Sequence, residues 1–228
     1  MKINFANHDF ILDPSGALFW LEESLLVVSD LHLEKGSHFA LREFFLPPYD
    51  SQETLEKLHA VIQKLSPDKI LLLGDCFHDS KGYNRLNRKA RTLFDALLAY
   101  QPIWIKGNHD GEFVPSGFVA YETYLLKNIA FSHAASDVTT PEISGHYHPK
   151  VNITHKETTI TRPCFIEDGV KFILPAFGTY AGGLSITNPA INSLFKEGAN
   201  IYALGQDKIY EIRTLAHDAV RNRDLKHK

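Results

Sequence analysis

Three short apolar runs in the first half of the chain each end in a polar motif, and this alternation constrains the fold more than any other feature. Leu25-Leu26-Val27-Val28 leads into Asp30-Leu31-His32, Ile70-Leu71-Leu72-Leu73 into Gly74-Asp75, and Ile103-Trp104-Ile105 into Gly107-Asn108-His109-Asp110. Such continuous apolar runs read as strands buried on both faces. Between the first two, residues 51–65 carry Leu55, Leu58, Val61, Ile62 and Leu65 at helical spacing. Asp50 with Glu53 resembles a capping box, and Ser66-Pro67-Asp68 stops the helix. A second helix is expected over roughly 86–99, with Leu86, Ala90, Leu93, Phe94 and Leu97 on one face. The half therefore reads β-α-β-α-β with a polar motif after every strand. Sites in open α/β sheets gather outside the carboxyl ends of the strands, so the three motifs can converge.

The second half is richer in strands. They are expected at 118–121, 124–127, 129–131, 151–154, 158–161, 165–167, 171–174 and 201–204. Near the N-terminus, residues 3–20 read as short strands, with Asp13-Pro14-Ser15-Gly16 as a hairpin signal. No internal repeat or linker divides the 228 residues. The expectation is one α/β domain over 1–228, with two sheets packed face to face and helices outside.

Composition narrows the class. An apolar content of 44% with 22% charged residues is that of a soluble globular protein. No apolar run approaches the roughly 20 residues of a membrane span, and the N-terminus lacks a secretory h-region. Cys76 and Cys164 do not make a disulfide framework. A cytoplasmic protein without a membrane partner is expected. A net charge of −3 gives no global argument for nucleic acid, although a local basic groove is compatible with it. The basic tail, Arg221 to Lys228, reads as a solvated terminus.

Two further motifs, Ser132-His133 and Gly145-His146-Tyr147-His148, follow strands of the second half. The five motifs together offer the carboxylates of Asp30 and Asp75, the amide of Asn108, and the imidazoles of His32, His109, His133, His146 and His148. That ligand set suits two divalent cations, and two adjacent cations suit in-line attack on phosphorus. Nitrogen and carboxylate ligands suit Mn, Fe, Zn or Co, with Mg also compatible.

In this order the motifs resemble those of the calcineurin-like metallophosphoesterase superfamily: D-x-H, GD, GNH-D, H and G-H-x-H. The resemblance implies a four-layer α/β/β/α sandwich. Asp30-Leu31-His32-Leu33-Glu34-Lys35-Gly36-Ser37, Leu46-Pro47-Pro48-Tyr49-Asp50, Arg162-Pro163-Cys164-Phe165 and residues 174–184 are similar to a bacterial ligase-associated group tied to the DNA-damage response. The resemblance implies one metal held by Asp30, His32, Asp75 and His148, and a second by Asp75, Asn108, His133 and His146. It implies a metal-bridging hydroxide as nucleophile, His109 as general acid or phosphoryl contact, and Asp110 as its orienting partner. The metals expected are two Mn²⁺ ions.

The chain departs from the family pattern at motif two. Many members read GD-x-x-D, but here His78 stands in the second Asp position, followed by Asp79. Either Asp79 takes over the orientation of His109, or Asp110 alone does so. Cys76 and Cys164 read as buried small apolar residues. His8, His59, His155, His217 and His227 read as ordinary histidines, whereas His38, in the segment after motif one, is a candidate substrate contact. Gly178, Gly182 and Gly183 read as tight turns or close backbone approach. Lys35, Arg42, Lys81, Arg85, Arg88 and Lys89 form either a solvated face or a phosphate-contacting rim. Phe39, Phe44, Phe45 and Tyr49 either pack as a lid or stack on bases.

The function expected is a metal-dependent phosphodiesterase or nuclease on DNA ends or single strands, linked to repair and to a ligase or helicase. The alternative is a small-molecule phosphoesterase: a cyclic-nucleotide diesterase, nucleotide pyrophosphatase or phosphomonoesterase. A catalytically degenerate scaffold is disfavoured by the full ligand set.

Overall fold

A computed structural model describes residues 1–40, 49–136 and 139–213. The first sheet has seven strands in chain order: β1 (Lys2–Phe5), β2 (His8–Leu12), β3 (Leu18–Trp20), β4 (Leu25–Ser29), β5 (Lys69–Leu73), β6 (Ile103–Ile105) and β7 (Val119–Tyr121). β1 to β4 pair antiparallel and β4 to β7 pair parallel. The second sheet holds β8 (Thr123–Leu126), β9 (Ile129–Ser132), β10 (Glu142–Ser144), β11 (Lys150–His155), β12 (Thr158–Glu167), β13 (Lys171–Ile173), β14 (Asn200–Leu204) and β15 (Ile209–Arg213). Its order is β15-β14-β12-β13-β10-β9-β8, and β11 pairs β12 off this path.

The helices are α1 (Lys35–Ala40), α2 (Asp50–Leu65), α3 (Gly82–Arg85), α4 (Arg88–Asp95) and α5 (Pro189–Asn192). The apolar runs explain the layering. Strand side chains alternate between faces, so Leu26, Val28, Ile70 and Leu72 meet Leu55, Leu58, Val61 and Ile62 of α2 and Ala90 and Phe94 of α4. From the other face of the same strands, Leu25, Val27, Leu71, Leu73 and Ile105 meet Phe131, Ile143, Phe165 and Phe172 of the second sheet. Each fully buried Val, Leu, Ile or Phe side chain among these contributes roughly 1.5–3 kcal/mol. The outer face of the second sheet buries Cys164, Ile166, Ile201 and Ala203 beneath Ile191 and Phe195. The four layers expected are present, the last reduced to one four-residue helix and the loops around it. Among the described residues, no helix is long and apolar enough to cross a membrane.

Several local expectations are corrected. Asp50 does not cap α2: the cap position is Tyr49, without a side-chain bond, and the Asp50 carboxylate instead accepts the Gly36 N–H at 2.9 Å. The second helix starts at Arg88, because Asn87 caps it by accepting the Ala90 N–H at 2.9 Å, and it tightens into a 3₁₀ turn at Ala96–Tyr100. The strands expected at 158–161 and 165–167 are one strand that runs through Pro163, which stands opposite Lys150. β10 and β15 had no expectation. The Asp13–Gly16 turn does join β2 to β3. Cys76 and Cys164 are free and buried, and burial pushes both thiols up. Arg42, Phe44, Phe45, His217, His227 and the basic tail lie outside the described residues.

Candidate metal centre

Motif one follows β4, motif two β5 and motif three β6, at neighbouring strand ends. The loops then pair with one another: Asp30 N–H donates to Gly74 O at 3.2 Å and His32 N–H to Asp75 O at 2.9 Å. The second sheet faces the same edge. Gly145 N–H donates to His133 O at 2.9 Å, and His146 N–H to Asp30 Oδ2 at 3.0 Å. Ser29 Oγ donates to the same Asp30 oxygen.

Side-chain donors meet in three overlapping groups: Asp30 with His32 and His148, His32 with Asp75 and His109, and Asp75 with His133 and His146. Asp30 Oδ1 lies 3.2 Å from His148 Nε2, and Asp75 Oδ2 lies 3.4 Å from His133 Nε2 and 3.9 Å from His32 Nε2. His32 Nε2 faces His148 Nε2 at 3.2 Å, and His146 Nδ1 faces His133 Nε2 at 3.1 Å. Among the described residues, Asp30 Oδ1 and His32 Nδ1 are buried without a hydrogen-bond partner. Buried polar atoms are rarely left unsatisfied. Facing imidazole nitrogens and an orphaned carboxylate oxygen are a donor set that fits divalent cations.

The electrostatics keep Asp75 and His32 in their ligating forms, whereas His133 is raised, its burial being outweighed by its hydrogen bond to Asp75 and by the Asp30 and Asp75 charges. Burial works against the Asp75 carboxylate, but the hydrogen bond and charge of His133 outweigh it and bring it down to about 2. Burial brings His32 down to about 4, against the pull of Asp30, so its nitrogens are free of the second proton. Metal ligation requires those deprotonated forms.

The backbone is strained at the same positions. Asp30, His32, Asp75, His146 and His148 have φ of 54°, 45°, 47°, 68° and 46°. The left-handed region costs an L-residue of order 1–2 kcal/mol, and such outliers persist where the surroundings enforce them. Glycines supply the tight approach. A Cβ on Gly145 would overlap Ser29 Oγ and Asp30 Oδ2, and one on Gly178 would overlap Leu31 O. Gly183 likewise abuts His148 O, whereas Gly182 is open.

Motif three differs from expectation in detail. His109 Nδ1 lies 2.9 Å from the carbonyl oxygen of His78, and the two rings stack with centroids 5.0 Å apart. Its Nε2 stands 4.0 Å from Asp75 Oδ2. Asp110 does not orient this ring. Its carboxylate accepts the Phe77 N–H at 3.1 Å and the Gly107 N–H at 2.9 Å, which closes the turn. Asp79 does not take over either: it pairs with His38 at 2.6 Å and with Arg85 at 2.7 Å. Asn108 is exposed in the turn, and among the described residues its amide has no hydrogen-bond partner. The rim is also thinner than expected, because Arg85 is committed to Asp79 and Lys89 to Glu56 at 2.5 Å. Phe39 tilts over His78, with ring centroids 5.5 Å apart. Tyr49 is exposed and Tyr147 packs on the outer core. Ser29 and the His78 carbonyl were not foreseen; a serine and a backbone oxygen leave no motif.

The sequence model of the calcineurin-like phosphoesterase family matches residues 24–199, which include all five motifs. No curated protein matches the chain. Among solved structures the chain is similar to the nuclease MPE of Pseudomonas putida, at 21% identity over 93% of this chain and 99% of that one, with a TM-score of 0.72. At that identity the likeness shows a shared fold. The chain is also similar to Yfce, a phosphoesterase from E. coli, at 16% identity over 82% of this chain and 97% of that one, with a TM-score of 0.43.

Proposed function

Because the chain belongs to the calcineurin-like phosphoesterase family, and so is a metal-dependent phosphoesterase, we propose that it is a dinuclear phosphodiesterase acting on DNA, as single strands or ends. The observation that carries the two-cation reading is the position of Asp75. Its carboxylate belongs to two donor groups at once, one with His32 and the other with His133 and His146. Asp30, His32, Asp75 and His148 would hold one cation, and Asp75, Asn108, His133 and His146 the other. Two such cations, most simply Mn²⁺, supply an activated water and neutralise charge on the phosphoryl oxygens.

The protein's own groups supply the rest. A carbonyl oxygen only accepts, so His109 Nδ1 carries the proton that bonds His78 O. Nε2 is then the working atom. In the imidazolium form it would donate to the leaving oxygen. Asp110 acts on the turn, by fixing the Gly107 and Phe77 amides. The similarity to the Pseudomonas putida nuclease supports a polynucleotide substrate. A place in DNA repair beside a ligase or helicase rests on the resemblance of residues 30–37, 46–50, 162–165 and 174–184, and a cytoplasmic location fits two free buried thiols.

The test uses metal-stripped protein with added Mn²⁺ on bis-p-nitrophenyl phosphate, p-nitrophenyl phosphate and labelled single-stranded DNA, with Asp75→Asn as control. Cleavage of the diester and the DNA, lost in the variant, is expected. Turnover of small esters with intact DNA would instead favour a small-molecule phosphoesterase.

A further inference from the structure

β9 and β10 deliver the two imidazoles assigned to the second cation: His133 follows β9 directly, and His146 comes two residues after β10. The strands pair parallel, with Ser132 opposite Ser144 and Ala130 opposite Glu142. Phe131 and Ile143 point into the core between the sheets. Ser132, Glu142 and Ser144 therefore lie on the outer face. Glu142 is buried there, and its carboxylate accepts three hydrogen bonds, all from uncharged donors. Oε1 takes Ser132 Oγ at 2.6 Å and Ser136 Oγ at 2.9 Å, and Oε2 takes the Ser136 N–H at 2.8 Å. Ser132 Oγ has Ala134 O as a further acceptor at 3.1 Å.

These bonds bracket His133. One falls on the residue before it and two on the residue three places after it, so a single carboxylate ties down both ends of the turn that carries the imidazole. The ring is confined from the other side. A Cβ on Gly74 would overlap it, so the first sheet leaves it no slack in that direction. Its Nε2 stands 3.4 Å from Asp75 Oδ2 and 3.1 Å from His146 Nδ1. Burying a carboxylate among neutral donors is costly, and an apolar residue on this face would pack without that cost. What the carboxylate adds is its hold on the turn.

We propose that Glu142 is a positioning residue for the second cation: by holding Ser132 and Ser136 it sets where the His133 imidazole stands. This rests on the two-cation reading above. Glu142 acts through the β9 turn and makes no contact with the cation itself. The main chain completes the arrangement, because Gly145 N–H donates to His133 O at 2.9 Å and so joins this turn to the one that carries His146. Loss of the carboxylate should loosen His133 and spare the first cation, since Asp30, His32 and His148 form a donor group without His133.

The test titrates Mn²⁺ calorimetrically into metal-stripped wild type, Glu142→Gln, Ser136→Ala, His133→Ala and the double variant Glu142→Gln with His133→Ala. Gln keeps the size of Glu but turns one acceptor into a donor, which then faces the Ser136 amide or a serine hydroxyl. The wild type should take up two ions. Glu142→Gln should weaken the second by at least about tenfold, as loss of a group supporting a metal ligand does, and leave the first within about twofold. Ser136→Ala, the milder change, should weaken the same ion by about fivefold, the worth of one hydrogen bond. The double variant should match His133→Ala alone within about twofold, because Glu142 acts only through that ligand. Should Glu142→Gln not fold, Ser136→Ala and its combination with His133→Ala carry the same comparison. Wild-type affinity for both ions in Glu142→Gln and Ser136→Ala would overturn the role. Equal weakening of both ions would assign Glu142 to the fold instead, and so would losses that multiply in the double variant. A wild type that takes up only one ion would remove the two-cation reading itself, and this role with it.

Discussion

Gly107 lies against Asp75 so closely that a single added methyl group would overlap both the Asp75 amide nitrogen and its Oδ1. The same Oδ1 accepts the His109 N–H at 2.9 Å. Motif three is thus seated on the residue that joins two of the donor groups. Gly107→Ala must move one loop or the other, since backbone cannot yield as a side-chain end can. Metal affinity should fall by at least about tenfold, as it does when groups supporting metal ligands are lost. Calorimetric titration with Mn²⁺ checks this, and wild-type affinity in the variant would contradict the packing.

His109 is half exposed, and its Nδ1 is fixed by a backbone carbonyl rather than by a carboxylate. His109→Ala should therefore keep both metals and lose about 10²–10⁴ in turnover on esters with poor leaving groups. The loss should shrink for p-nitrophenolate, which departs without a proton. Rates measured across a leaving-group series decide it. A uniform loss would assign His109 to charge stabilisation instead.

Metal removal should be read first in stability. The orphaned Asp30 Oδ1, and imidazole nitrogens that face each other at 3.1–3.2 Å, are relieved by a cation. Saturating Mn²⁺ at 100 times its dissociation constant should add about 2.7 kcal/mol per site. Thermal melts with Mn²⁺ and with chelator should separate clearly in the wild type and less in Asp75→Asn. Superimposable melts in the wild type would contradict the donor set.

The segment after motif two is a brace. Asp79 accepts from His38, from Arg85 through two nitrogens at 2.9 and 2.7 Å, and from the Lys81 N–H at 2.8 Å. Burial pushes its carboxyl up, but Arg85 and His38 outweigh this and hold it well below the usual range. A depressed folded pKa gives stability that is complete above the unfolded value near 4 and is lost as pH falls through the folded one. Asp79→Asn should cost roughly 1–3 kcal/mol at pH 7, and its deficit against the wild type should narrow below about pH 4. Denaturant titrations at pH 7 and pH 3 check both. A constant deficit would mean the carboxylate charge is not what the brace uses.

Sequence showed the strands best where chemistry repeats along the chain. β4, β5 and β6 were legible because both of their faces are buried, and the motifs because they follow those strands directly. What stayed hidden is mostly long-range. Asp50 looks like a cap, but Gly36 takes its carboxylate. Asp110 looks like a partner for its neighbour His109, but its oxygens turn to backbone amides. β12 was split at Pro163, which the ladder tolerates because the strand simply lacks one donor there. The left-handed backbone at Asp30, His32, Asp75, His146 and His148 could not be read from the sequence, because Asp and His enter that region more often than most residues but still in a minority of positions. It follows from the loops being wedged against Gly107, Gly145 and Gly178.

Behind motif one, Lys57 reaches from α2 to the carbonyls of Phe177, at 2.6 Å, and Ser15, at 3.2 Å, with its ammonium 3.8 Å from the centre of the Phe177 ring. Phe177 N–H in turn donates to Ser29 O at 2.8 Å, so this contact backs the strand that carries Asp30. Burial brings the Lys57 ammonium down to about 8, against a partial pull upward from Asp13. Below that value the group is charged in both folded and unfolded states, and the cost of burying the charge is fully present. Between about pH 8 and the unfolded value near 10.4, the folded protein releases its proton while the unfolded chain keeps it. Stability relative to Lys57→Met should therefore rise with pH across this window, by up to about 3 kcal/mol. Urea unfolding of both proteins at pH 7, 8.5 and 10 measures the difference. A gap that stays constant, or closes against the wild type, would mean that Phe177 and the two carbonyls hold Lys57 as a cation throughout.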